Sequence, residues 1–86
     1  MEIERTVRFK KDWKRMKKRG ADLSKLTAAL QTLCESRTLP GEHALSFGEY
    51  NGLRDAHISP DWILLYEIQG ETLILHRTGT HSDLNL

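Results

Sequence analysis

Four side chains suited to moving a proton near neutral pH lie from the middle of this 86-residue chain onward: His43, His57, His76 and His81. The stretch "RDAHISPDWILLY" gathers Arg54, Asp55, His57 and Asp61 around a Ser-Pro that must bend the backbone. Such a cluster reads in two ways. Pro-Asp is ordinary turn composition, and a histidine at a strand end is commonly a surface residue. Alternatively, His57 and Asp61 are half of an acid–base site, with His43 and His81 delivered from other loops. Spacing alone leaves both readings open. A metal centre is the third option, since His57-x3-Asp61 and His76-x4-His81 approach ligand spacings and His43 could add a third donor. Those spacings suit a helix face, however, and here they cross strands and turns. The lone Cys34 supports no cysteine-based site. No metal and no cofactor is expected, and the chain has neither a Gly-rich phosphate loop nor a Gly-x-Ser-x-Gly elbow.

The elements that must position these groups follow from the hydrophobic period. Residues 2–7 alternate weakly, as a short strand does. Phe9, Trp13 and Met16 form one helical stripe over 8–19, and Gly20 is a natural stop. A second helix, capped by Asp22 or Ser24, carries Leu23, Leu26, Ala29, Leu30 and Leu33 to about Ser36. After Leu39-Pro40-Gly41 the period becomes strand-like. Residues 52–58, 62–68 and 72–78 read as three strands joined by hairpin-length turns, with 44–50 as an added edge strand. The expected fold is α+β: β-α-α, then an antiparallel β meander, with two helices on one face of a twisted sheet. Phe9, Trp13, Met16 and Trp62 are expected in the core, and Cys34 is expected to be a semi-buried, inert thiol. Arg54 and Asp55 alternate across a strand, so one of them faces any cleft; the expectation is Arg54, with Asp55 solvated or turned to a protein partner.

Length and composition allow one domain, 1–86, that is neither disordered nor membranous (38% hydrophobic, 29% charged). The N-terminus has no apolar signal-peptide core, and the single cysteine suits a reducing compartment, so a cytoplasmic location is expected. A net charge of +1 hides a dipolar chain. Residues 1–20 hold nine Lys/Arg against three Asp/Glu, whereas the remainder holds four against nine. Lys10, Lys11, Lys14, Arg15, Lys17 and Lys18 therefore offer a face for a polyanion or an acidic protein, unless they are simply a solvated helix surface.

"GLRDAHISPDWILLYEI" followed by "LHRTGTHSDL" resembles the C-terminal half of the RelE/ParE toxin superfamily, in its YafQ-like branch, and "RFKKDWKRMKKRGADLSKL" resembles that branch's basic first helix and turn. The resemblance covers nearly the whole chain, and its specific elements are "RDAHISPDW" and "RTGTH" in that order. It implies a RelE-like toxin of a type II toxin–antitoxin system. Such a toxin is a ribosome-dependent endoribonuclease that cuts mRNA in the decoding site, monomeric when free and a heterotetramer with its cognate antitoxin. The catalytic positions fall on His43, His57, Asp61 and His81. Arg77 becomes a phosphate contact, with Arg54 beside it, and Tyr50 matches a position that is often aromatic near the cleft. His76 matches no functional position. The basic helix would meet ribosomal RNA, the antitoxin, or both.

Cleavage through the RNA's own 2′-OH needs a base, an acid for the 5′-oxygen, and positive charge for the phosphorane. His43 and Asp61 are the candidates for the base and His81 for the acid, with His57, Arg77 and Arg54 around the phosphate. Two departures stand out. "HALSFGEY" has one residue more than the usual His-x-Leu-x-Gly run, so Phe47 must bulge or shift His43, and Asn85 stands where the family often ends with an aromatic. Two rival readings are a non-catalytic or ParE-like member that keeps only the fold and antitoxin surface, and a basic nucleic-acid-binding module with incidental histidines. An attenuated ribonuclease lies between them and the first reading.

Overall fold

The computed structural model describes residues 1–39, 42–46 and 48–86. In chain order the elements are β1 (Glu2–Arg5), α1 (Val7–Lys18), α2 (Leu23–Ser36), β2 (His43–Ala44), β3 (Arg54–Ser59), β4 (Trp62–Gln69), β5 (Thr72–Gly79) and α3 (His81–Leu84). The α+β expectation holds. The sheet order is β1-β5-β4-β3-β2, antiparallel throughout except for β1, which runs parallel to β5. Two features exceed the sequence reading: that parallel pairing, and the short helix α3 at a position that reads as loop. The edge strand expected over 44–50 shrinks to His43–Ala44, because the chain then turns back on itself through Leu45 N–H to Leu53 O (2.8 Å) and Gly52 N–H to Leu45 O (2.9 Å). The bulge expected at Phe47 lies outside the described residues.

Local chemistry explains the helix ends. Thr6 caps α1 by accepting the Phe9 N–H at 3.0 Å, and Asp22, rather than Ser24, caps α2. Past Lys18 the Gly20 and Ala21 amides bond back to Lys17 O and Met16 O, the paired closure that needs a left-handed residue; Gly20 supplies it at φ +79°. No described helix is long and apolar enough to cross a membrane.

The sheet has a core on each face. Trp62, Leu64, Tyr66, Leu73, Leu75 and Ala56 face α1 and α2, meeting Phe9, Met16, Leu26 and Leu33. Ile63 and Leu65 face the other way into a smaller cluster with Tyr50 and Leu84. Trp62 to Tyr66 are therefore buried on both sides, which is why "WILLY" reads as an unbroken apolar run rather than an alternating one. By the register of β2, β3 and β4, His43, Asp55 and His57 stand on this second face, beside Ile63 and Leu65.

Candidate active site

The motif "RTGTH" closes β5 onto α3, and each of its residues has a separate role. Arg77 makes a two-pronged bond to Asp12, Nε to Oδ2 at 2.6 Å and Nη2 to Oδ1 at 3.0 Å, while Nη1 donates to the Tyr50 hydroxyl at 3.1 Å. The Thr78 amide donates to Asp12 at 3.2 Å, and its hydroxyl accepts from the Trp62 indole and donates to Ile63 O. At Gly79 the chain passes close to α3, since a Cβ there would lie 3.0 Å from Asp83 and push on it. Thr80 and Asp83 form a reciprocal capping box that starts α3. Arg19, from the end of α1, grips Asp83 at 2.6 and 3.1 Å. His81 then stands on a fixed first turn.

Asp61 sits at the start of that turn. Its Oδ1 accepts both the His81 backbone N–H (3.1 Å) and the His81 ring Nδ1 (2.6 Å), across the Ser-Pro-Asp bend. These bonds hold the Asp61 carboxyl below the usual aspartate range, with the His81 side chain the larger cause. With Nδ1 engaged, His81 presents Nε2 outward. The His57 ring lies 5.4 Å from the His81 ring, tilted by 41°. His57, Asp61 and His81 thus form one group at the end of β3 and β4. His43 lies on β2 directly opposite Asp55, hence on the same sheet face as His57, two residues further along β3. His76 is elsewhere occupied, its Nε2 3.0 Å from Glu67 Oε1.

Several expectations change. Arg54 does not share the cleft with His57: it lies on the face of Ala56 and Ile58, bonded to Glu42 at 2.6 Å. Parity with Ala56 sets that direction, and Asp55 is the residue that faces the cleft. Tyr50 is no open platform for a base. It is a buried member of the smaller core, its hydroxyl held by Arg77, and burial pushes its pKa up. Arg77 is mostly buried on Asp12, and that hydrogen bond raises its pKa; Nη1 is turned instead to the Tyr50 hydroxyl. Arg15 is turned inward, bonding Asp12 at 2.7 Å, which leaves Lys10, Lys11, Lys14, Lys17 and Lys18 as the exposed basic face. Asn85 ends α3 in the left-handed conformation at φ 59°, which asparagine tolerates and an aromatic does not favour.

Sequence reasoning missed Asp12, Glu42 and Asp83. Asp12 had a signal: with Phe9, Trp13 and Met16 it completes the i, i+3, i+4, i+7 stripe, a lone acid on the buried face of a basic helix. Glu42 accepts from the Tyr66 hydroxyl, Arg54 and the Leu39 amide, and so anchors the residue next to His43. Nothing local in the sequence announces that role. Among the described residues no group of three His, Cys, Asp or Glu is placed to hold a metal ion, and Asp61 is committed to His81.

A small α+β scaffold that carries an aspartate-bonded histidine with a second histidine beside it on one sheet face has an arrangement suited to acid–base chemistry. A family described as bacterial toxins of type II toxin–antitoxin systems, YafQ, matches residues 1–86, and the chain belongs to it. The mRNA interferase toxin YafQ of Escherichia coli K12 is 42% identical over 88 aligned positions, covering 96% of this chain and 94% of that one. The E. coli DinJ–YafQ toxin–antitoxin complex contains a chain that superposes with a TM-score of 0.84 at 39% identity, covering 96% and 94%. A metal-bound toxin from Helicobacter pylori superposes at 0.85 with 35% identity over 98% of each chain.

Proposed function

We propose that this chain is an mRNA interferase, a toxin that cuts ribosome-bound mRNA in the decoding site through attack by the RNA's own 2′-OH. The observation that carries the chemistry is the Asp61–His81 pair with His57 beside it. Asp61 keeps its charge and is occupied by two donors, so it serves as the orienter of His81 rather than as a base. His81 then delivers a proton from Nε2 to the departing 5′-oxygen. His43, exposed and on the same face, takes the 2′-OH proton, while His57 and the Nη1 edge of Arg77 stabilise the phosphorane. No step requires a metal.

The partners are a cognate antitoxin and the ribosome with its mRNA, in the cytoplasm. The exposed lysines of α1 supply attraction to ribosomal RNA. The same side carries an apolar hollow lined by Ile3, Phe9, Trp13, Leu26 and Leu30, rimmed by Arg5, which suits an amphipathic acidic antitoxin segment. The complex is read as a heterotetramer and the free toxin as a monomer.

Inducing the chain in cells or a translation extract and mapping mRNA ends tests the reading. Cleavage that disappears in His81→Ala and Asp61→Ala supports it. Growth arrest with intact mRNA would sink it and favour a non-catalytic toxin, and loss of cutting on adding a chelator would show that a metal takes part. Binding to ribosomes should fall steeply with salt, each removed α1 lysine that contacts phosphate lowering the salt slope by about 1.

A further inference from the structure

We infer that Asp55 is the positioning residue for His43, forming a second aspartate–histidine pair across the cleft from Asp61 and His81. The inference rests on the reading of His43 as the base. Three observations converge on it. Asp55 and His43 are directly paired in the β2–β3 ladder, so their side chains leave the sheet on the same face, the face of His57. His43 Nδ1 is 3.9 Å from Asp55 Oδ1. That oxygen is buried and has no hydrogen-bond partner among the described residues.

The burial is unequal, and the inequality says which partner moves. The Asp55 side chain is 15% exposed, whereas the His43 side chain is 74% exposed. A buried carboxylate oxygen without a donor carries an uncompensated desolvation cost, so a donor that can reach it is drawn in. A rotation of the exposed imidazole that closes about 1 Å gives an ordinary charge-assisted contact. Both pairs then have one polarity: Nδ1 faces a carboxylate and Nε2 faces the substrate. In the neutral ring, an Nδ1–H bonded to Asp55 leaves the Nε2 lone pair free for the 2′-OH proton. Without Asp55 the ring favours the opposite tautomer, with its proton on Nε2, where it cannot act as a base.

Long-range nitrogen–proton NMR on the purified chain above neutral pH reads the His43 tautomer without any substrate. The Nδ1–H form should dominate in the parent and in Asp55→Glu, and the Nε2–H form in Asp55→Ala. Single-turnover cleavage on programmed ribosomes adds a second readout. Asp55→Asn should lower kcat roughly tenfold at unchanged KM, a part of the ~10²–10⁴ that a general base supplies. Added to His43→Gln, Asp55→Asn should cost nothing further. An unchanged tautomer in Asp55→Ala, or effects that multiply in the double variant, would overturn the inference. Were the chain to cut no RNA at all, the functional reading would fall, while the tautomer would still decide whether Asp55 positions His43.

Discussion

Asp12 and Asp61 are the same chemical group placed in opposite circumstances. The Asp12 side chain is 3% exposed, and it receives Arg77, Arg15 and the Thr78 amide. The Asp61 side chain is 68% exposed and, among the described residues, receives only His81, through ring and backbone. Asp12 lies where β1 ends at Arg5 and leaves the last part of β5 unpaired, so α1 offers a carboxylate in place of the missing strand. Asp61 lies at the rim, where a carboxylate can polarise a histidine without holding the fold together. Burial therefore separates the two carboxylates in what they do. The enclosed one maintains the sheet edge, and in the proposed mechanism the open one orients His81.

The contrast is most easily destroyed at Asp12. Replacing it with alanine strands the guanidinium of Arg77, whose side chain is only 12% exposed, and leaves the Thr78 amide without its acceptor. Removing one partner of a buried pair costs about 3–5 kcal/mol. For a domain this small that is a large share of its stability, since such domains are worth roughly 0.05–0.15 kcal/mol per residue. Urea unfolding should show the midpoint collapsing in Asp12→Ala. A midpoint close to the parent's would mean that Asp12 is no keystone.

Asp61→Asn should do the reverse. The amide keeps the shape but loses the charge that orients His81, so cleavage should fall by about 10²–10³ while the urea midpoint stays near the parent's. Equal damage to stability and rate would erase the distinction between the two aspartates.

The same contrast explains what can be read from the sequence. The two long helices and the three long strands are legible because apolar period records them locally, and the His57–Asp61–His81 grouping is legible only through the motifs that carry the family resemblance. Arg54 reads as a cleft residue because a cation suits a phosphate, although Ala56, small and apolar, marks the inward parity that Arg54 shares. Arg77 reads from its charge, but its attachment to Asp12 spans 65 positions of sequence. Glu42 beneath His43 depends on Tyr66 and Arg54 arriving from other strands. Motif chemistry is written in neighbouring letters, but the identity of a side chain's partner is written in the fold.

Asp83 falls between the two extremes, at 15% side-chain exposure, and gives the finest test of the rule. Arg19 is the main cause that holds its carboxyl well below the aspartate range, with the Thr80 backbone and hydroxyl adding to it. Its folded pKa is depressed, so its contribution is complete above the unfolded value of about 3.9 and is lost as pH falls through the folded one. The tether of α1 to α3 should therefore survive mild acid and loosen only below about pH 4. In Arg19→Gln the Asp83 carboxyl should titrate nearer the ordinary range, and α3 should loosen at a higher pH than in the parent. Carbon-13 NMR of the Asp83 carboxyl, followed beside the His81 amide, checks both. If Arg19→Gln leaves the Asp83 titration where it was, the capping box and Arg15, whose Nε is 3.9 Å from Asp83, set that carboxylate without Arg19.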